Sequence, residues 1–208
     1  MAVGIRDRFR AQMVDEIKQH ALRQLAEGGA QALSVNAIAK ELGVSGPALY
    51  RYFAGRDALL TELILDAYAD LSAALQAADP DLTAVADAYR AWALANPHRY
   101  RLLFAAPPPG HHAHDERLVA ASRHLMDALV ARLPAGPQPA AALAGQLADW
   151  AQRRQRPGMD PGTSLLGITA WSRMHGFVSL EIEGNWSSMG LDPEMLFAVE
   201  VAALRSGR

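Results

Sequence analysis

The chain has 208 residues, half of them apolar and a fifth charged, with 20 basic against 22 acidic side chains. This balance excludes disorder and fibrous structure, and the length suits one large domain or a small one joined to a larger. Cysteine is absent, which excludes disulfide staples, thiolate metal sites and cysteine nucleophiles, and the longest uncharged run, residues 133–148, is too broken by proline and glycine to span a bilayer.

Charge begins at Arg6, too early for a secretory apolar segment, so the expectation is a cytoplasmic protein with no membrane partner. Apolar residues recur at intervals of three and four and strand-like alternation is nearly absent, which predicts an all-α fold. The first helix is expected over residues 6–26, with Ile5, Phe9, Met13, Ile17, Ala21 and Leu25 as its inward stripe and Gly28-Gly29 as its stop. Its first turns carry Arg6, Arg8 and Arg10. Ser34 is the expected cap of a short helix through Leu42 that faces inward with Val35, Ile38, Ala39 and Leu42. Gly43 closes that helix in the left-handed conformation and Val44 tucks in. Ser45 is the expected cap of a second short helix, buried through Leu49 and Phe53, and together the pieces read as a helix-turn-helix.

A long helix is expected over 56–78, apolar along Leu59, Leu60, Leu63, Ile64, Ala67, Leu71, Ala74 and Leu75 and broken by Pro80. Helices at 82–95, 98–104, 115–133, 140–154, 162–183 and 193–205 follow, with loops at 105–114 and 134–139. The expected organisation is an N-terminal three-helix head, residues 1–55, and a larger helical-bundle body, residues 56–208.

Up to Leu60 there are eight basic and six acidic residues, while the remainder is acidic in balance, so only the head has a sign suited to a polyanion. Local geometry strengthens that reading. If Leu49 and Phe53 face inward, then Gly46, Pro47, Tyr50 and Arg51 face out, a small, aromatic and cationic set at a helix start whose amides and dipole favour phosphate. Small residues let the helix enter the major groove, and Pro47 costs little in a first turn whose amides have no helical partner. Tyr50 can offer a hydroxyl and Arg51 a charge, and Arg56 is expected to grip the backbone a second time.

The run LSVNAIAKELGVSGPALYRYFAGRDALLTELI resembles the DNA-binding head of the TetR/AcrR family of transcriptional regulators over about residues 14–64. Tyr52 stands where that family usually has histidine. The resemblance places Ser34 or Val35, Ser45, Gly46, Pro47, Tyr50, Tyr52 and Arg56 where the family meets DNA; Arg51 is added from the outward geometry above. It further implies a homodimer on a palindromic double-stranded operator. In the body, WSRMHGFVSLEIEG resembles the Trp-His-Gly signature of one TetR subgroup, and LANPHRYRLLF resembles the same subgroup's Asn-Pro corner.

The helix at 162–183 is apolar on two sides, one stripe holding Leu165, Ile168, Ser172, His175 and Ser179 and the other Trp171, Met174, Val178 and Ile182. A helix with two apolar sides has two things to pack against, its own body and the same helix of a second subunit. Leu165, Ile168, Ser172 and Ser179, joined by Leu196, Phe197, Val199, Glu200, Ala203 and Leu204 of the last helix, are the expected dimer interface. A sensing pocket for a small apolar or amphipathic effector is expected from Tyr89, Trp92, Leu103, Phe104, His124, Leu125, Trp150, Trp171 and His175, aromatic walls with a few polar tips. His111, His112 and His114 form the one local cluster with metal-ligand character, but they lie in a proline-glycine loop, so neither a metal nor a cofactor is assigned.

No Gly-x-Ser-x-Gly, phosphate-cradling glycine loop or His-Glu-x-x-His occurs, and no enzyme is expected. The leading expectation is a ligand-responsive repressor. The alternatives are a ligand-independent or activating DNA binder, and an all-helical enzyme or binding module.

Overall fold

A computed structural model describes residues 4–104 and 115–206. All the regular structure of those residues is helical. In chain order the helices are α1 (Ile5–Gly28), α2 (Val35–Glu41), α3 (Gly46–Tyr50), α4 (Arg56–Ala77), α5 (Leu82–Ala95), α6 (Pro97–Phe104), α7 (Glu116–Val130), α8 (Ala141–Arg153), α9 (Pro161–Ile182), α10 (Asn185–Ser188) and α11 (Pro193–Arg205). A 3-10 turn, Ala30–Ala32, follows α1. The helices gather into two compact units. The first takes in the described residues of Met1–Ala67 and His98–Leu118, the second those of Tyr68–Pro97 and Val119–Arg208. The first unit therefore continues past Gly55 and includes α6, and α4 begins in the first unit and ends in the second.

In the first unit Ile17, Ala21 and Leu25 of α1 close over Leu33, Val35, Ile38, Ala39, Leu49 and Phe53, all buried. The stripe expected on α1 does not stay inward along its whole length, since Ile5 and Phe9 are exposed. At 100° per residue a strict four-residue spacing drifts by about 40° per step, so Phe9 lies about 80° and Ile5 about 120° round the helix from Ile17. Gly29 ends α1 with φ +66 and donates its N–H to Leu25 O at 2.9 Å. The Ser34 N–H bonds Gln24 Oε1 at 2.9 Å while the Ser34 hydroxyl oxygen accepts the Ala37 N–H at 3.3 Å, so Ser34 caps α2 as its position predicts. Gly43 has φ +68, a conformation that costs other L residues energy, and it lets the Val44 N–H turn back to Ala39 O at 3.0 Å.

In the second unit α9 packs against α5, α8, α10 and α11. Its buried residues, Gly162, Ser164, Leu166, Gly167, Ala170, Met174, Phe177 and Val178, are mostly small near its start, and smallness there has a steric reason. A Cβ on Gly162 would lie 2.4 Å from Gly136 O, so the two backbones touch at that point. Asp81 caps α5, Asp160 caps α9 and Asp192 caps α11, each accepting first-turn N–H groups. The Arg90 guanidinium of α5 donates to both Glu181 carboxylate oxygens of α9, at 2.8 and 2.6 Å, and Glu181 is only 8% exposed. That bidentate bond raises the Arg90 pKa further above its ordinary value. After α9, Gly184 (φ +76) reverses the chain into α10, where Trp186 stacks on Phe177 with ring centres 5.0 Å apart and donates its indole N–H to Phe177 O at 3.2 Å.

Candidate nucleic-acid interface

The helix predicted to enter a DNA groove is α3, held by Leu49, which is fully buried, and by the buried Phe53 just beyond its end. With those two side chains turned in, Pro47, Tyr50 and Arg51 are exposed and Gly46 is half-buried, the outward set that the sequence predicts. The start of α3 packs against α2, where a Cβ on Gly46 would meet Asn36 Oδ1 at 3.6 Å, an ordinary van der Waals contact. Asn36 and Lys40 are exposed on α2 and were not among the predicted contacts, although their positions facing away from Val35, Ile38 and Ala39 carry the signal.

Electrostatics favour the same surface. Several of the unit's acids are already engaged: Glu41 with His20, Asp66 with Lys18 at 2.7 Å, Glu62 with Arg117 at 2.7 Å, and Asp57 with Arg56 at 3.5 Å. The hydrogen bond from His20 is the main cause that lowers the Glu41 pKa and keeps it ionised. Among the described residues no acid pairs with Arg10, Lys40 or Arg51, so their positive charge is uncompensated at short range.

The other predicted contact residues have surroundings that spacing did not specify. Arg56, expected as a second phosphate clamp, is engaged within the unit: its Nη2 donates to Ala30 O at 2.6 Å and its Nε to Leu33 O at 3.2 Å, which lashes the first turn of α4 to the turn before α2. The valine side chain of Val35 is in the core, so of the pair Ser34 and Val35 only Ser34 presents a side chain at the surface. Ser45 stands at the cap position of α3, but its side chain makes no capping bond. Tyr52 is half-buried, and the Arg10 guanidinium lies 5.3 Å from its ring centre.

The second unit brings together three of the nine predicted pocket residues. Tyr89 Oη and His175 Nδ1 are 3.4 Å apart, and the Trp171 ring stacks on His175 one turn along α9, with centroids 5.3 Å apart. Burial lowers the His175 pKa, because the charged imidazolium is poorly solvated there. Trp92 and Leu125 are buried, His124 is exposed with Nε2 3.2 Å from Gln76 Nε2, and Trp150 lies under the Arg154 guanidinium at 4.8 Å. Leu103 and Phe104 belong to the first unit, where Phe104 meets Tyr100 edge-on at 4.9 Å. His111, His112 and His114 lie outside the described residues.

Residues 17–63 match the model for bacterial regulatory proteins of the tetR family, and residues 82–204 that for the tetracyclin repressor-like C-terminal domain. The chain belongs to the TetR family of transcriptional regulators. This TetR-family regulator is 33% identical to the HTH-type transcriptional regulator Rv1816 of Mycobacterium tuberculosis, over 97% of this chain and 94% of that one. It is 42% identical in sequence to the protein SCO4313, whose crystal structure it matches with a TM-score of 0.81 over 97% of this chain and 98% of that one. The fold is also shared with the TetR-family regulator PfmR of Thermus thermophilus, at TM-score 0.55 and 19% identity over 90% of this chain and 96% of that one.

The TetR-family regulator's predicted interface residues divide by burial. Phe197 and Leu204 are 3% and 7% exposed, so both are core residues of the protomer. Phe197 packs on Phe177 at 5.2 Å and lies under the Arg90 guanidinium at 5.4 Å. Leu165, Ile168, Ser179, Leu196 and Glu200 are half-buried and Ser172 is exposed. The large apolar side chains that α11 turns outward are Met195 and Val199, 71% and 65% exposed, and on α9 the large exposed apolar residue is Leu180.

Proposed function

We propose that this TetR-family regulator is a cytoplasmic, ligand-responsive repressor that binds a palindromic DNA operator as a homodimer. The observation that carries the DNA reading is the orientation of α3, anchored by Leu49 and Phe53 so that Pro47, Tyr50 and Arg51 face outward from a unit with uncompensated cations. Small and flat residues at the front of the helix suit entry into a major groove, and Arg51 behind them suits base or phosphate contact.

The dimer reading rests on the exposed apolar residues of α9 and α11: Leu180, Met195 and Val199 leave a hydrophobic face that association would cover. The effector reading rests on the meeting of the half-buried Trp171 and His175 with the hydroxyl of the buried Tyr89, an aromatic cluster with hydroxyl and imidazole tips. Half-sites lie about one helical turn, ~34 Å, apart, so a ligand that favours a different orientation of α4 would disturb the register of two heads. Inverting a 99:1 population takes a preference of about 10⁴-fold, about 5.5 kcal/mol, for the other state.

Selection of bound duplexes from a random-sequence pool by the purified protein tests the reading. Enrichment of an inverted repeat, lost on Tyr50→Ala and Arg51→Ala, is the expected result. A folded protein that enriches no sequence overturns it.

A further inference from the structure

The first two turns of α1 extend beyond the packed core of the first unit, as the exposure of Ile5 and Phe9 shows, and they carry Arg6, Arg8 and Arg10. These three cations are not equivalent. Arg6 and Arg10 lie within about 20° of the direction of Ile17, the first core residue of the helix, whereas Arg8 lies about 180° away. The side of α1 that faces the head therefore continues outward as a pair of arginines, and one of them has a partner. The Arg10 guanidinium lies 5.3 Å from the centre of the Tyr52 ring, two residues beyond Tyr50 of the reading helix. Asp7, the nearest acid on the same turn, is placed against Gly4 instead, where a Cβ would lie 3.1 Å from its Oδ2.

A guanidinium over an aromatic face keeps its edge N–H donors available, and its planar fork matches two phosphate oxygens. Stacking also restricts the rotamers of a long side chain before it meets a ligand, so less freedom is lost on binding. The geometry points to a second DNA-phosphate site on this protein, formed by Arg10 with Arg6 behind it, in which the Tyr52 ring orients Arg10 and the Tyr52 hydroxyl is dispensable. The site rests on the DNA reading proposed above, and it assigns Tyr52 a role as a platform for a cation in place of the direct phosphate contact that its position in the motif implies.

The test is a salt titration of binding to a duplex selected by the wild-type protein, repeated with Arg10→Ala, Arg8→Ala, Tyr52→Phe and Tyr52→Ala, with circular dichroism as the check on folding. One phosphate contact contributes about 0.9 to the slope of log K against log salt, equivalent to about eightfold in affinity between 1 M and 0.1 M. Arg10→Ala is expected to lower the slope by that amount, and Arg8→Ala, which removes the same charge from the opposite side, to lower it by much less. Tyr52→Phe is expected to bind as the wild type does and Tyr52→Ala to weaken binding, with little further loss when Arg10→Ala is added.

Equal effects of Arg8→Ala and Arg10→Ala would reduce the site to bulk charge and overturn it. A loss in Tyr52→Phe as large as in Tyr52→Ala would overturn the platform. Wild-type protein that binds a selected duplex, loses it on Tyr50→Ala and is indifferent to Arg10→Ala would refute this site alone, whereas failure of the wild type to select any duplex would refute it together with the DNA reading.

Discussion

Substitution of Arg56 separates two roles that the same residue could play in a helix-turn-helix. As a phosphate clamp it would add to the salt dependence of DNA binding and little to folding. In the structure it instead donates to Ala30 O at 2.6 Å and Leu33 O at 3.2 Å from a part-buried position. A hydrogen bond from a charged donor is worth roughly 1.5–3 kcal/mol, and allowance for the exposed part of the side chain and for water reaching the freed carbonyls brings the pair to about 2–3 kcal/mol. Arg56→Ala should therefore lower the stability of the first unit by that amount, equivalent to about 10–20 °C in Tm for a unit of this size. Arg56→Lys keeps the charge but reaches one carbonyl at a time, and should recover less than half of the loss. Urea and thermal unfolding followed by circular dichroism give the stability, and salt titration of DNA binding below the Tm gives the slope. Unchanged unfolding with a slope reduced by about 0.9 would refute the tie and restore the clamp.

Val199→Glu should yield monomers by light scattering that still unfold cooperatively, whereas Phe197→Glu, which places a charge in the protomer core, should fail to fold; a Val199→Glu protein that remains dimeric would remove α11 from the interface. Arg90→Ala leaves the nearly buried Glu181 carboxylate unpaired and should cost about 3–5 kcal/mol in urea denaturation, while the double replacement Arg90→Met with Glu181→Leu should cost much less. His175 has a folded-state pKa below its unfolded one, so the unfolded chain binds the proton first as the pH falls. Stability is thus fully present above the unfolded value of about 6.5 and declines as the pH drops below it, and His175→Gln should flatten this part of the melting profile.

Helix type and order were legible because apolar spacing, aspartate and serine caps and glycine stops agree along most of the chain; α5 and α11 lie at the residues that spacing predicts. The 3-10 turn at Ala30–Ala32 and the single turn of α10 are too short to carry a period, so neither was anticipated. The outward set on α3 was legible for the same reason as the core beneath it, since Leu49 on the helix and Phe53 just beyond its end, once turned inward, determine which of the others face out. Arg56 was not, because the carbonyls of Ala30 and Leu33 that hold it leave no mark in side-chain identity. On α11, Phe197 and Val199 are equally apolar in sequence, and only the packing of Phe197 on Phe177 and beneath Arg90 separates core from surface. The pocket residues suffered the same ambiguity, because an aromatic at helical spacing fits a wall and a core equally well.

The Arg56 tie has a mechanical corollary. It fastens the first turn of α4 to the carbonyls of Ala30 and Leu33, immediately before the serine that caps α2. Any rotation of that turn is therefore felt first at the root of α2, and the reading helix receives it second-hand, through the side chains that α2 and α3 share. Loosening residues 30–33 would act like a slack coupling between two otherwise intact parts, freeing the first turn of α4 to move without carrying the root of α2 with it.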